Sequence, residues 1–365
     1  MIARGMCSGP RLLVAGQPIT RVGGHCHQWG GVASDDAEIR LVVQRQAERG
    51  CDLVKVMATG GVRTPGTNPA DAAFTTNELR TAVDAASAAG LKLAAHAHGV
   101  GERREWLRIC RGFEPLAGPH PTPPRPQTPP PGAATATAVA SVSSHECALH
   151  PNPGGIRACV DARVHSIEHC SWVDRQGRWG ALDENCATDI ARAGIFVSPT
   201  VPASWGLPRM AGMRAAMGPA YQRMVRAGVR FVASSDAGAI PNVGHHQLVD
   251  GLLVFGSCAA LSSAELLRAA TSEAAAACML GGEVGCVAEG LIADLLVVPG
   301  NPLAAPEAAL RGMVTVVCRG RLVEPCQGPP PKPKRSLMPS WTRAAVSEEP
   351  QPCACTARMW ATAQG

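Results

Sequence analysis

Aromatic side chains are scarce: Phe, Trp and Tyr make up 4% of the 365 residues, with one tyrosine among them. Ala, Val, Leu and Gly must therefore fill any core. Long apolar runs are missing too. No stretch of about 18 apolar residues occurs, so no membrane span is expected. Arg4 and Arg11 flank only a weak apolar run, not the hydrophobic region of a secretory signal. A cytoplasmic location follows, with organelle targeting left open. No basic patch interleaved with aromatics is present, and Lys332, Lys334 and Arg335 near the C-terminal end inflate the net charge of +5. Nucleic acid is thus not an expected partner. No Gly-rich phosphate fingerprint follows the first apolar run, which argues against a dinucleotide-binding fold. Cysteine is plentiful at 15, but no disulfide framework emerges. Cys159, Cys170, Cys258, Cys278 and Cys318 lie in apolar runs, where a thiol acts as a small hydrophobe, and a reducing compartment is expected.

What is present is a rhythm. Strand-like apolar runs at residues 11–15, 52–57, 91–95, 164–167, 195–197 and 229–233 alternate with amphipathic helical patterns. The segment from Ser34 through Glu38 reads as a helix start, with its helix running to Gly50. Others run from Thr76 to Gly90, Glu184 to Gly194, Arg209 to Gly228 and Ser262 to Leu280. Such alternation predicts a parallel α/β sheet, and without a phosphate fingerprint a (β/α) TIM-type barrel is favoured over a doubly wound sheet. Six βα units are counted here where a full barrel has about eight, so two are read as absent at the N-terminus. Short apolar runs at 293–298, 314–318 and 319–323, read as having no helices between them, predict a small appended β-sheet, part of a β-sandwich. The expected organisation is barrel at 1–114, a Pro-rich insert at 115–153, barrel again at 154–285, a small β domain at 286–325 and a Pro-, Lys- and Ser-rich tail at 326–365.

Polar residues recur at the C-terminal ends of these runs: Lys55, His96 and His98, His169, and Asp236. In a barrel these ends converge on one face. Two imidazoles, a carboxylate and a lysine brought together there fit a divalent metal, with Zn²⁺ suited to the donor set. Each residue alone has a plainer reading. A strand-end His can be merely hydrogen-bonded, the Lys can extend its amine to water, and the Asp can cap a helix. The recurrence of one such residue per unit is the more specific signal.

The series Lys55, His96-Ala97-His98-Gly99, Ile167-Glu168-His169 and Ser235-Asp236-Ala237-Gly238 resembles the metal-dependent amidohydrolase superfamily, in its prolidase-like branch related to imidazolonepropionase. Gly9-Pro10-Arg11, Gly23-Gly24-His25, Lys55 through Gly61, Ala293-Asp294-Leu295 and Gly300-Asn301-Pro302 extend the match. The resemblance implies a hydrolase of carbon–nitrogen bonds acting through activated water on a small-molecule or dipeptide-like amide, with one or two divalent metals, Zn²⁺ foremost. It implies that CO₂ converts Lys55 into a carbamate ligand. His96 and His169 would hold one metal, and Asp236 would hold the other and shuttle protons. His98 would lie near the substrate, and a loop histidine, His245 or His246, would contact it, a solvated loop being the plainer reading of that pair. A homo-oligomer is open, and no membrane partner is implied.

That family begins with a strand ending His-x-His, and none precedes Gly9. His25-Cys26-His27 has the spacing but follows Gly-Gly rather than an apolar strand, which makes it a weaker candidate to replace the missing ligands. Two other functions stay open: a catalytically impaired barrel with a binding or structural role, and a deaminase on the same scaffold.

Overall fold

Ile19, Val54, Val56, Ala95, Ile167 and Val197 have no exposed surface, and the last five of them lie on successive strands of one parallel sheet. The computed structural model describes residues 9–100, 154–239, 243–313 and 315–323. Five strands stand in the order β1-β2-β3-β4-β5: β1 (Val54–Met57), β2 (Leu93–Gly99), β3 (Ser166–Val173), β4 (Phe196–Ser198) and β5 (Arg230–Phe231). All neighbours are parallel. β2 is buried along its whole length, as expected of a parallel strand covered on both faces.

Helices follow the capping signals in the sequence. In α1 (Asp36–Glu48) the Asp35 carboxylate accepts the Glu38 N–H. In α2 (Thr76–Ala88) Thr75 and Glu78 form a reciprocal capping box. The short α3 (Gly155–Asp161) leads into β3. In α4 (Glu184–Ala193) Asp183 caps the start, and Gly194, at φ 67°, ends it. Then come α5 (Ala211–Arg226), α6 (Leu248–Ala259), α7 (Ser263–Ala270) and α8 (Ser272–Ala277). A separate antiparallel sheet holds β6 (Leu295–Val297), β7 (Thr315–Cys318) and β8 (Arg321–Val323).

Four expectations need correction. Residues 11–15 form no strand. Gly16 turns the chain at φ 66° and Pro18 brings no N–H, so only Ile19 pairs with β1, giving its N–H to Lys55 and taking that of Met57. Ser262–Leu280 is not one helix: Thr271, at φ −126° and ψ −93°, separates α7 from α8. A helix, α9 (Pro306–Arg311), lies between β6 and β7. Cys278 and Cys318 are exposed, whereas Cys159 and Cys170 are buried as expected. The Pro-rich stretch and tail expected at 115–153 and 326–365 lie outside the described residues. Among the described residues, no helix is long and apolar enough to cross a membrane.

Candidate metal centre

Strand alternation sets which side chains share a face. Lys55 pairs with Ala94, and Met57 with His96. His96 in turn pairs with Glu168, and Glu168 with Ser198. Lys55, His96, His98, Glu168 and Ser198 therefore share one face. His169 pairs with Ala97, so simple alternation would send it to the other face. It does not go there, because β3 bulges. Between Ala97 and Gly99 on β2, β3 advances from His169 to Val173, with His169, Cys170 and Trp172 in left-handed backbone at φ 70°, 48° and 53°. Bulges of this kind re-aim side chains beside functional sites, and the strained φ values are concentrated where such sites occur.

The result is an imidazole cluster. Ring centroids of His96 and His98 lie 4.6 Å apart, His96 and His169 4.6 Å, and His98 and His169 4.7 Å. One donor nitrogen from each falls within 4.8 Å of the other two. One nitrogen of each ring is anchored: His96 Nε2 to the Gly60 carbonyl at 3.2 Å, His98 Nδ1 to Ser171 Oγ at 3.0 Å, and His169 Nδ1 to Thr200 Oγ1 at 2.6 Å. Anchoring one nitrogen fixes the ring and leaves the other to face a ligand. Burial pushes all three imidazoles toward the neutral form, reinforced by neighbouring positive groups: His98 falls to about 3, and His96 and His169 fall well below the ordinary value. Two buried imidazoles and one partly buried one, all held toward the neutral form with donor nitrogens within 4.8 Å, fit a divalent cation such as Zn²⁺.

Lys55 lies near enough to all three imidazoles to act on their charge, and Asp236 interacts in turn with Lys55. Burial lowers the Lys55 pKa, opposed by the negative charges of Glu168 and Asp236. Burial raises Asp236 to about 6, and Glu168 adds to this, while Lys55 and Arg63 oppose it. Asp236 has φ 53° and follows β5. His98 thus joins His96 and His169 as a potential ligand, where the resemblance placed it beside the substrate. His246 is exposed. The adjacent His245 is the one whose ring approaches Gly238, within 3.7 Å of where a Cβ would stand.

One group at the site is not singled out by the sequence, and a second only by its spacing. Glu168 stands there only as the middle of Ile167-Glu168-His169, yet it faces Lys55 and accepts a hydrogen bond from Ser166 Oγ at 2.8 Å. Its signal is two-residue alternation with Ser166. His25 lies with its ring 4.5 Å from that of His96, and it enters from a loop rather than a strand. His27, its partner in the His-x-His spacing, is exposed and bonds the Gly24 carbonyl instead.

A parallel α/β sheet carrying imidazoles at its strand ends defines a class, the α/β barrel-type hydrolase scaffold. The amidohydrolase family model matches residues 2–108 and 122–323, and the chain belongs to the amidohydrolase family. Among solved structures, a Xaa-Pro dipeptidase with bound methionine in its active site is similar at TM-score 0.64 and 21% identity, covering 89% of this chain and 70% of that one. The structure of an ochratoxinase from A. niger is similar at TM-score 0.61 and 21% identity, covering 88% of this chain and 68% of that one. In sequence, an Aspergillus niger ochratoxinase is 37% identical over 75 residues, 20% of this chain and 16% of that protein. The matched segment thus spans about a sixth of that curated relative.

Proposed function

We propose that the protein is a hydrolase of carbon–nitrogen bonds, acting on an amide of small or dipeptide-like size and using one divalent cation, Zn²⁺ foremost. The observation that carries this reading is the triad of His96, His98 and His169, whose donors converge within 4.8 Å, with His96 and His98 buried and His169 partly so. When bound, a divalent cation supplies Lewis acidity, lowering the pKa of water toward 7 and polarising a carbonyl. In this reading the three imidazoles hold it, with Gly60, Ser171 and Thr200 fixing their rings. Asp236, ionised above about 6, accepts the proton of the attacking water at its carboxylate and returns it to the leaving amine. Lys55 supports the site beside it. Burial favours its neutral amine, the form that reacts with CO₂, so a Lys55 carbamate, which would release a proton on forming and offer the cation an anionic oxygen, belongs to the same proposal. His98 also packs edge-on against Trp179, with ring centroids 5.7 Å apart, which keeps bulk water off one side.

The experiment is elemental analysis of the purified protein beside hydrolysis assays on dipeptides and N-acyl amino acids, with Zn²⁺ added, for the wild type and His169→Asn. The reading expects about one metal per chain, amine release by the wild type, and a loss of both in the variant. Ammonia as the sole nitrogenous product would favour deamination. A chain that holds no metal and hydrolyses nothing would favour the binding role.

A further inference from the structure

We propose that the end of the sheet opposite the imidazole cluster carries a binding site for a phosphate group, as the free ion or the end of a monoester, formed by Lys92, Arg163 and His165.

Two connections from helix to strand build this site. Lys92 stands one residue before β2, and Arg163 and His165 lie in the link from α3 to β3. Together with Ser87 of α2 and Gly194 at the end of α4 they line a cavity of about 180 Å³, far more room than a single water needs. No carboxylate side chain lines it. Arg157 in α3 and Arg230 in β5 each have a carboxylate partner. Among the described residues, the side chains of Lys92 and Arg163 have neither an ion pair nor a hydrogen bond. The Lys92 charge reaches the imidazole. Burial is the main cause of a lowered His165 pKa, its bond to the Ala277 carbonyl opposes this, and Lys92 and Arg230 lower it further against the pull of Glu168. Positive charge gathered around one cavity without acidic partners suits an oxyanion.

The backbone of Arg163 sharpens the assignment. Other helix-to-strand connections turn on glycine, at Gly50, Gly90, Gly194 and Gly228, with φ of 73°, 73°, 67° and 83°. The α3-to-β3 connection makes the same left-handed turn with Arg163, at φ 58°, a conformation that disfavours any residue with a Cβ. Merely offsetting the carbonyl ends of α2 and α4 at this face would need only a cation on relaxed backbone. A strained residue kept for its side chain points instead to a ligand.

The donor set selects phosphate. A guanidinium gives two parallel N–H groups to a pair of oxygens, and the Lys92 ammonium adds a compact charge. His165 Nε2 gives its hydrogen to the Ala277 carbonyl at 2.8 Å, since a carbonyl only accepts, so the neutral ring keeps Nδ1 as an acceptor. A carboxylate ion offers acceptors alone, whereas a hydrogen phosphate also has an O–H to give to such a nitrogen.

Isothermal titration calorimetry of the purified protein with inorganic phosphate, glycerol phosphate and acetate tests this. The wild type is expected to bind phosphate, with acetate weaker by about 10-fold or more. His169→Asn should bind phosphate equally well, which separates this site from the metal centre. Lys92→Gln and Arg163→Gly should each weaken phosphate binding by about 10-fold or more. Phosphate-free Arg163→Gly should melt no lower than the wild type, because glycine relaxes the turn. Tighter binding of glycerol phosphate than of the free ion would assign the monoester, and the reverse the free ion. Phosphate affinity unchanged in Lys92→Gln or in Arg163→Gly, or lost in His169→Asn, would overturn the site, as would acetate binding as tightly as phosphate.

Discussion

His169 Nδ1 and Thr200 Oγ1 share a hydrogen bond at 2.6 Å, and both residues sit in left-handed backbone, at φ 70° and 49°. Neither is glycine, so each position is strained by about 1–2 kcal/mol. The strain is held by the surroundings: the Thr200 N–H also donates to Ser234 Oγ at 2.9 Å. Two strand ends, those of β3 and β4, are thereby locked to each other through an imidazole and a hydroxyl.

Thr200→Val keeps the shape of the side chain and removes the acceptor for His169. Loss of such a supporting hydrogen bond typically lowers metal affinity by about 10- to 100-fold. The expected outcome is a drop of that size in Zn²⁺ affinity, measured by competition with a chromophoric chelator, with Thr200→Ser keeping most of the wild-type value. Equal affinity in all three proteins would show that the His169 ring needs no anchor.

Arg21 links the His25 loop to α2. It pairs with Glu78, donates to three carbonyls, and stacks its guanidinium 4.3 Å from the centre of the Phe74 ring. Lysine has neither the planar fork nor the stacking face. Arg21→Ala is expected to destabilise the fold by about 2–3 kcal/mol, since partly buried acceptors lose their donor, and Arg21→Lys should recover less than half of this in urea melts. Burial pushes the Glu78 carboxyl up, but hydrogen bonds from Arg21 and Thr75 outweigh this and hold it below 4.5. Its folded pKa is depressed, so its stabilising contribution is present above the unfolded pKa and is lost as pH falls through the folded one. The difference between wild type and Glu78→Gln should therefore shrink on acidification; a gap constant from neutral to acid pH would contradict the pairing.

The site is only half legible in the sequence, for reasons that lie in the backbone. His96 and His98 are readable because they stand two apart in an unbroken apolar strand, and α1, α2 and α4 because polar starts at Ser34 to Glu38, at Thr76 and at Glu184 open amphipathic runs, with Asp35, Thr75 and Asp183 supplying the caps in the structure. His169 is marked by its strand end, yet its presence on the His96 face depends on a bulge that alternation alone does not foresee. His25 is visible only as half of a His-x-His spacing. What separates it from His27 is the left-handed turn at Cys26, and a cysteine carries no sequence signal for positive φ. The first apolar run fails as a strand because Gly16 and Pro18 interrupt the ladder, while Ile19 just beyond them takes its place. α6 is hidden since its Leu248–Ala259 segment is apolar on most sides and the three-to-four residue period is hard to see there.

Asp236 gives a stability signature that needs no metal. Burial lifts its carboxyl to about 6, from 3.8 in an unfolded chain, against the attraction of Lys55. The folded state therefore holds this proton more tightly than the unfolded state does. With the folded pKa raised, the sign is the reverse of the Glu78 case: the group costs nothing below 3.8, and the protein loses stability as pH rises through the window from 3.8 to about 6. Above that window the ionised carboxylate carries a penalty of about 1–3 kcal/mol, since each pH unit between the two values corresponds to roughly 1.4 kcal/mol. Asp236→Asn removes the charge and keeps the shape. Metal-free Asp236→Asn protein is thus expected to be more stable than the metal-free wild type by that amount at pH about 7.5, and equal to it near pH 3.5, in denaturant melts. The same substitution removes the proposed proton carrier, so the stabilised variant should hydrolyse amides far more slowly, a trade common at functional sites. An unchanged or lower stability of Asp236→Asn at neutral pH would show that Lys55 fully compensates the buried charge. Asp236 would then be a structural partner of that lysine rather than a strained acid kept for chemistry.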